Sequence, residues 1–93
     1  MEGFAEYKVP EGKLVSAKVA YSEKIYSVQI LGDFFIHPEE SLSEIEQALI
    51  GLSPGEEEDT IAEKIRAVIA SKGIEMIGVT PEAIAKVVRM AIG

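Results

Sequence analysis

Between residues 13 and 22, Val15, Ala17, Val19 and Tyr21 are apolar or aromatic while Ser16, Lys18 and Ser22 are polar. A period of two puts alternate side chains on opposite faces of an extended chain, so this run predicts a half-buried strand. A second alternating run starts at Ile25, with Tyr26, Val28, Ile30, Phe34 and Ile36 on one face and Ser27, Gln29 and Asp33 on the other. Ser22-Glu23-Lys24 between them reads as a hairpin turn. Because both apolar rows must share a face, parity sets Tyr21 against Tyr26, Val19 against Val28, Ala17 against Ile30 and Val15 against Gly32. The same register brings Leu14 opposite Asp33 and Lys13 opposite Phe34. Gly-Lys-Leu at 12–14 and Gly-Asp-Phe-Phe at 32–35 then meet at the far end of the hairpin. Upstream, EYKVP at 6–10 reads as a third, edge strand ended by Pro10.

After Pro38 the period lengthens. Ser41-Leu-Ser-Glu44 has the form of a capping box, Leu42, Ile45 and Leu49 follow at helical spacing, and Gly51 is a plausible stop. SPGEEED at 53–59 reads as a loop with a charge run. Thr60-Ile-Ala-Glu63 has the form of a second capping box, and Ile61, Ile65, Val68 and Ile69 form a stripe that ends at Lys72-Gly73. A third helix is predicted from Thr80-Pro81-Glu82, with Thr80 as cap, Pro81 at the first helical position, and Ile84, Val87, Val88 and Ala91 as its buried face. Strands followed by helices predict an α+β fold: a small antiparallel sheet of two or three strands with about three helices packed on one face.

The length of 93 residues suits one small domain, residues 1–93. Sixteen acidic residues against nine basic ones give a net charge of -7, which repels phosphate backbones, so no nucleic-acid partner is expected. The absence of cysteine removes disulfides, thiolate catalysis and cysteine-ligated metals or clusters. The opening MEGFAEYK has neither a basic flank nor an apolar core, and no apolar run approaches the roughly 18 residues that span a bilayer; a cytoplasmic chain with no membrane partner is the expectation.

Catalytic chemistry is hard to assemble from this composition. Asp33 and His37 form the nearest thing to a dyad, but four residues of continuing strand span about 13 Å, beyond hydrogen-bond reach. His37 also precedes Pro38, which favours extended backbone, and reads as a surface residue at a strand end. Gly12-Lys13 is not a phosphate loop, since Tyr7 stands where the first glycine belongs and Leu14 where the hydroxyl belongs. The acidic run 56–59 lacks the alternating ligands of a calcium loop and suits a solvated helix start. No catalytic residue and no metal ligand is therefore assigned.

The adjacent phenylalanines are more informative. Neighbours on a strand point to opposite faces, so if Phe34 joins the core, Phe35 joins Leu31 and Leu14 on the outer face, with Asp33 among them. An apolar patch of this kind needs cover, either from a helix or loop of the same domain or from a partner protein.

KVPEGKL at 8–14 and GDFF at 32–35, separated by an alternating hairpin and followed by capped helices, resemble the accessory domain of lipoate-protein ligases, from about Tyr7 to Gly93. In that family the domain is either the C-terminal module of one chain or a separate small protein beside a larger catalytic subunit, and a 93-residue chain with its own Met looks like the split form. Lys8, Pro10, Gly12, Lys13 and Leu14, with Gly32, Asp33, Phe34 and Phe35, carry the match; Glu11 departs from it, standing where the family pattern has glycine. The resemblance implies a non-catalytic subunit of a heterodimeric ligase that activates lipoate to lipoyl-AMP with ATP and transfers the lipoyl group to a lysine of lipoyl domains, such as those of 2-oxoacid dehydrogenases or the glycine cleavage protein. ATP, Mg and lipoate would be held by the catalytic subunit, and no cofactor by this chain. The fold is also similar to cysteine-bearing iron-sulfur scaffolds, whose ligands are missing here. An adaptor module unrelated to lipoylation is the alternative.

Overall fold

A computed structural model describes residues 1–10 and 12–93; the substitution read at Glu11 lies outside them. The alternating runs form a three-stranded antiparallel sheet in the order β1 (Glu2–Lys8), β2 (Leu14–Tyr21), β3 (Ile25–Gly32). Its inner face carries Val15, Ala17, Val19, Val28 and Ile30, all buried, and against it pack α1 (Ser41–Leu49) and α3 (Pro81–Ile92). α2 (Glu58–Lys72) packs on the other two helices, adding Ile61 and Ile65 to the core. The expected α+β architecture, with helices on one face of a small antiparallel sheet, is the one observed. A second sheet of two short strands, β4 (Phe35–His37) and β5 (Glu75–Ile77), completes the chain.

The hairpin register holds at Val15–Gly32, Ala17–Ile30 and Val19–Val28, then shifts between Ala20 and Tyr21, so that Tyr21 pairs with Ile25 and not with Tyr26. A bulge of this kind inverts the faces beyond it. Ile25 is consequently buried and Tyr26 is 58% exposed, the reverse of the predicted stripe. Backbone bonds explain the choice: the Ile25 amide donates to the Leu52 carbonyl and its carbonyl accepts from the Gly51 amide, pinning Ile25 against the α1–α2 connection. β1 begins earlier than EYKVP suggests and pairs along its whole length, Glu2 with Ala20 through Lys8 with Leu14.

Neither capping box forms. Ser41 lies inside α1, 3% exposed, with its amide bonded to the Pro38 carbonyl, because the chain already turns at Glu39 and Glu40. α2 likewise starts ahead of Thr60: the Thr60 and Ile61 amides bond to the Glu57 carbonyl, and Glu58 and Asp59 occupy the first turn, where the helix dipole favours carboxylates. The predicted loop over 53–59 therefore ends at Glu57. α3 starts as expected, with the Ala83 amide donating to Thr80 Oγ1 at 3.1 Å and Pro81 opening the helix, while Gly73 closes α2 in the left-handed region at φ 66°.

Three contacts hold α3 in place. A methyl group built on Gly3 would fall 1.6 Å from the Ala91 carbonyl oxygen, so α3 lies directly against the β1 backbone. The Tyr21 hydroxyl donates to the Ile92 carbonyl at 3.0 Å, and Arg89 donates to the Glu56 carbonyl at 2.6 Å. On the far side of the sheet, the Ile30 amide at the outer edge of β3 donates to Glu46 Oε2 of α1 at 2.7 Å. Among the described residues, no helix is long and apolar enough to cross a membrane.

Candidate partner-docking surface

β3 does not continue through Ile36 as the alternation suggests. It stops at Gly32, the chain turns through Asp33 and Phe34, and Phe35 starts a strand of the second sheet. A methyl group built on Gly32 would lie 2.4 Å from the Leu14 carbonyl oxygen and 2.7 Å from the Phe34 ring, so only glycine admits both neighbours. Leu14 O also accepts from the Asp33 amide at 3.4 Å, which ties the corner to the first residue of β2. The predicted meeting of Gly-Lys-Leu with Gly-Asp-Phe-Phe is thus present, as a corner folded over a strand end.

The β1–β2 connection supplies the other half. The Gly12 amide donates to the Val9 carbonyl at 2.8 Å and the Val9 amide to the Lys13 carbonyl at 3.1 Å, giving a tight turn that leaves Lys8, Pro10 and Lys13 exposed. Lys8 stands opposite Leu14 in the ladder. Gly78, at φ 87°, fits between the two motifs: a methyl group on it would lie 3.3 Å from Lys13 Cγ and 3.6 Å from Phe34 Cβ, and its carbonyl passes close to Gly12. Gly78 and the strand before it were not legible as part of the site. Their only sequence signal is the short alternation Ile74, Met76 against Glu75, Ile77 ahead of a glycine.

The two phenylalanines divide as parity predicts. Phe34 is half-buried and packs on the core, whereas Phe35 is 72% exposed. Leu31 at 53% and Leu14 at 46% share this outward exposure, and Ile77, paired with Phe35 across β4–β5, adds a fourth apolar side chain at 55%. No helix or loop of the described residues covers the patch, which removes the first of the two covers considered. Beside it, Leu31, Phe34, Phe35 and Leu42 wall a cleft of about 230 Å³ floored by the buried Ile30 and Ile36, with Glu39 as its charged lining residue.

Asp33 and His37 lie on separate elements: Asp33 is exposed in the corner, and His37 is exposed at the end of β4 opposite Glu75. Among the described residues, no group of three or more His, Asp or Glu side chains converges on a point where a metal ion would sit. What the arrangement offers chemically is an uncovered apolar surface bordered by two exposed lysines, Lys8 and Lys13, and by the exposed carboxylates of Asp33 and Glu39.

No protein-family model matches the chain, and no curated protein sequence matches it. Among solved structures, a chain from an archaeal lipoylation system of Thermoplasma acidophilum, comprising a bi-partite lipoate protein ligase and its E2 lipoyl domain, superposes with a TM-score of 0.77 at 28% identity, covering 96% of each chain. The resemblance carried by two short motifs is therefore a resemblance of the whole fold, and the chain is similar over nearly its full length to a component of a bipartite lipoate protein ligase system.

Proposed function

We propose that this chain is the non-catalytic accessory subunit of a two-subunit lipoate-protein ligase, acting when lipoate is activated to lipoyl-AMP. The observation that carries this reading is the uncovered surface built by the very residues of the motif match, Gly12, Lys13 and Leu14 against Gly32, Asp33 and Phe35. The likeness to a component of the archaeal system supports it. In this role the chain supplies no nucleophile and no general acid or base. Docked on the catalytic subunit, it orders a loop of that subunit over ATP, Mg and lipoate, and the rate gain comes from holding the reactants in place. Lys8 and Lys13 are the cations of this surface placed to meet nucleotide phosphates or carboxylates of the partner.

The test is lipoyl-AMP formation by the catalytic subunit alone, with the wild-type chain, and with Lys13→Ala or Asp33→Ala. Strong stimulation by the wild type and weak stimulation by both variants is expected. Full adenylation without the chain would rule out the accessory role.

A second reading rests on Lys24, exposed in the turn of the β2–β3 hairpin: a lysine so presented could be the acceptor of a lipoyl group. It lies at the opposite end of the hairpin from the motif surface and leaves that surface unexplained. Incubation with a competent ligase, ATP and lipoate separates the two, since an acceptor gains the mass of a lipoyl group on Lys24 and an accessory subunit does not.

A further inference from the structure

The cleft beside Phe35 is lined by apolar side chains with one charged residue, Glu39. Its floor, Ile30 and Ile36, is sealed, but its walls Leu31 and Phe35 stand open, so it is shaped to receive an apolar side chain from outside. Its charged lining residue is Glu39, with exposed Asp33 at the adjoining corner and exposed Glu40 next along the chain. The nearby lysines do not line it: Lys13 lies against Gly78, which also borders Phe34, and Lys8 stands across from Leu14. Acidic and basic side chains thus border one apolar surface, and Glu39 is the charged group that lines the cleft itself.

We infer that the cleft anchors a segment of the catalytic ligase subunit in which an apolar side chain is followed closely by an arginine or lysine. The apolar group fills the space against Phe35 and Leu31, and the cation meets Glu39, while Lys13 faces a carboxylate of the same partner. This rests on the accessory-subunit reading above and specifies the chemistry of its partner. Charge complementarity selects this occupant over a second copy, because two chains that each carry -7 repel as they approach. A partly enclosed aromatic wall with a charged rim is also the composition at which binding energy concentrates in protein interfaces.

The experiment is a calorimetric titration of the full chain into the purified catalytic subunit of a bipartite lipoate protein ligase, at low and high salt. Wild type is expected to bind, more weakly at high salt. Phe35→Ala should weaken binding at least about tenfold, as for an interface hot spot. Glu39→Lys should weaken it by about tenfold, and Glu39→Gln should flatten the salt dependence. Phe4→Ala, which removes another exposed aromatic from the outer face of β1, should bind as wild type. Thermal unfolding of each variant close to wild type excludes loss of fold. If Phe35→Ala and Glu39→Lys bind normally while Lys13→Ala does not, the docking reading stands and the anchor cleft is overturned. If the wild-type chain does not bind the catalytic subunit, both fail. If it is a dimer by light scattering that Phe35→Ala dissociates, the occupant is a second copy and the inference is overturned.

Discussion

The β2–β3 hairpin and the β4–β5 ribbon are both antiparallel pairs built on the same alternation, yet they do opposite work. The hairpin has eight-residue strands, a third strand beside it and helices beneath it, so its inner row is fully sealed. The ribbon has three-residue strands, and of its six side chains only Ile36 is buried, with Met76 half-buried. Two short strands are marginal alone, so the ribbon holds its shape through what it leans on, while its outward pair, Phe35 and Ile77, adds little to stability. Large apolar side chains thus serve folding in one region and are left over in the other. What is left over is an uncovered apolar surface.

Substitutions can set this contrast against measurement. The largest effect is expected at Ile30, fully buried in the hairpin: Ile30→Ala removes the floor of the cleft and part of the core, and should lower unfolding free energy by about 2–5 kcal/mol in urea titrations. Gly32→Ala should destabilise by about 1–3 kcal/mol, because the Phe34 ring can swing away but the Leu14 carbonyl cannot, and a displaced Phe34 should show as altered near-UV circular dichroism. Thr80→Ala, which strips the α3 cap, should cost about 1 kcal/mol with no change in the docking surface. Phe35→Ala should alter stability by less than about 0.5 kcal/mol despite deleting a whole ring. A loss at Phe35 comparable to that at Ile30 would erase the distinction between the two regions.

The legible parts of the fold were those with enough repeats of one period. β2, β3 and α3 each run long enough for their apolar rows to declare a face, and Thr80-Pro81 marks a helix start by two independent signals. β5 could not be read, since three residues give barely more than one period of alternation. The corner at Gly32 was hidden for a different reason. Phe34 and Ile36 remain in phase with Val28 and Ile30 and do point inward, although they have left the sheet, so the pattern survives a break that only the Leu14 and Phe34 contacts impose. The capping boxes misled because Ser-x-x-Glu and Thr-x-x-Glu also occur inside helices, where neighbouring backbone decides the start. In the site, parity placed the two motifs together and separated the two rings correctly. Ile77 and Gly78 arrive from a distant segment through tertiary packing, for which local spacing carries no signal; Glu39 follows β4 directly and joins the cleft because the chain turns back after His37.

The bond from the Ile30 amide to Glu46 has a bearing on the life of the chain apart from any partner. An exposed strand edge is a template on which other chains polymerise. At the edge of β3 an arriving strand would find a carboxylate already seated on the amide it needs, and a negative charge where it would lay its own backbone. This contact hinders growth of the sheet at Ile30, next to the apolar cleft whose floor Ile30 forms. Beside an apolar surface that this fold leaves uncovered, one backbone donor of the strand edge is thereby already taken.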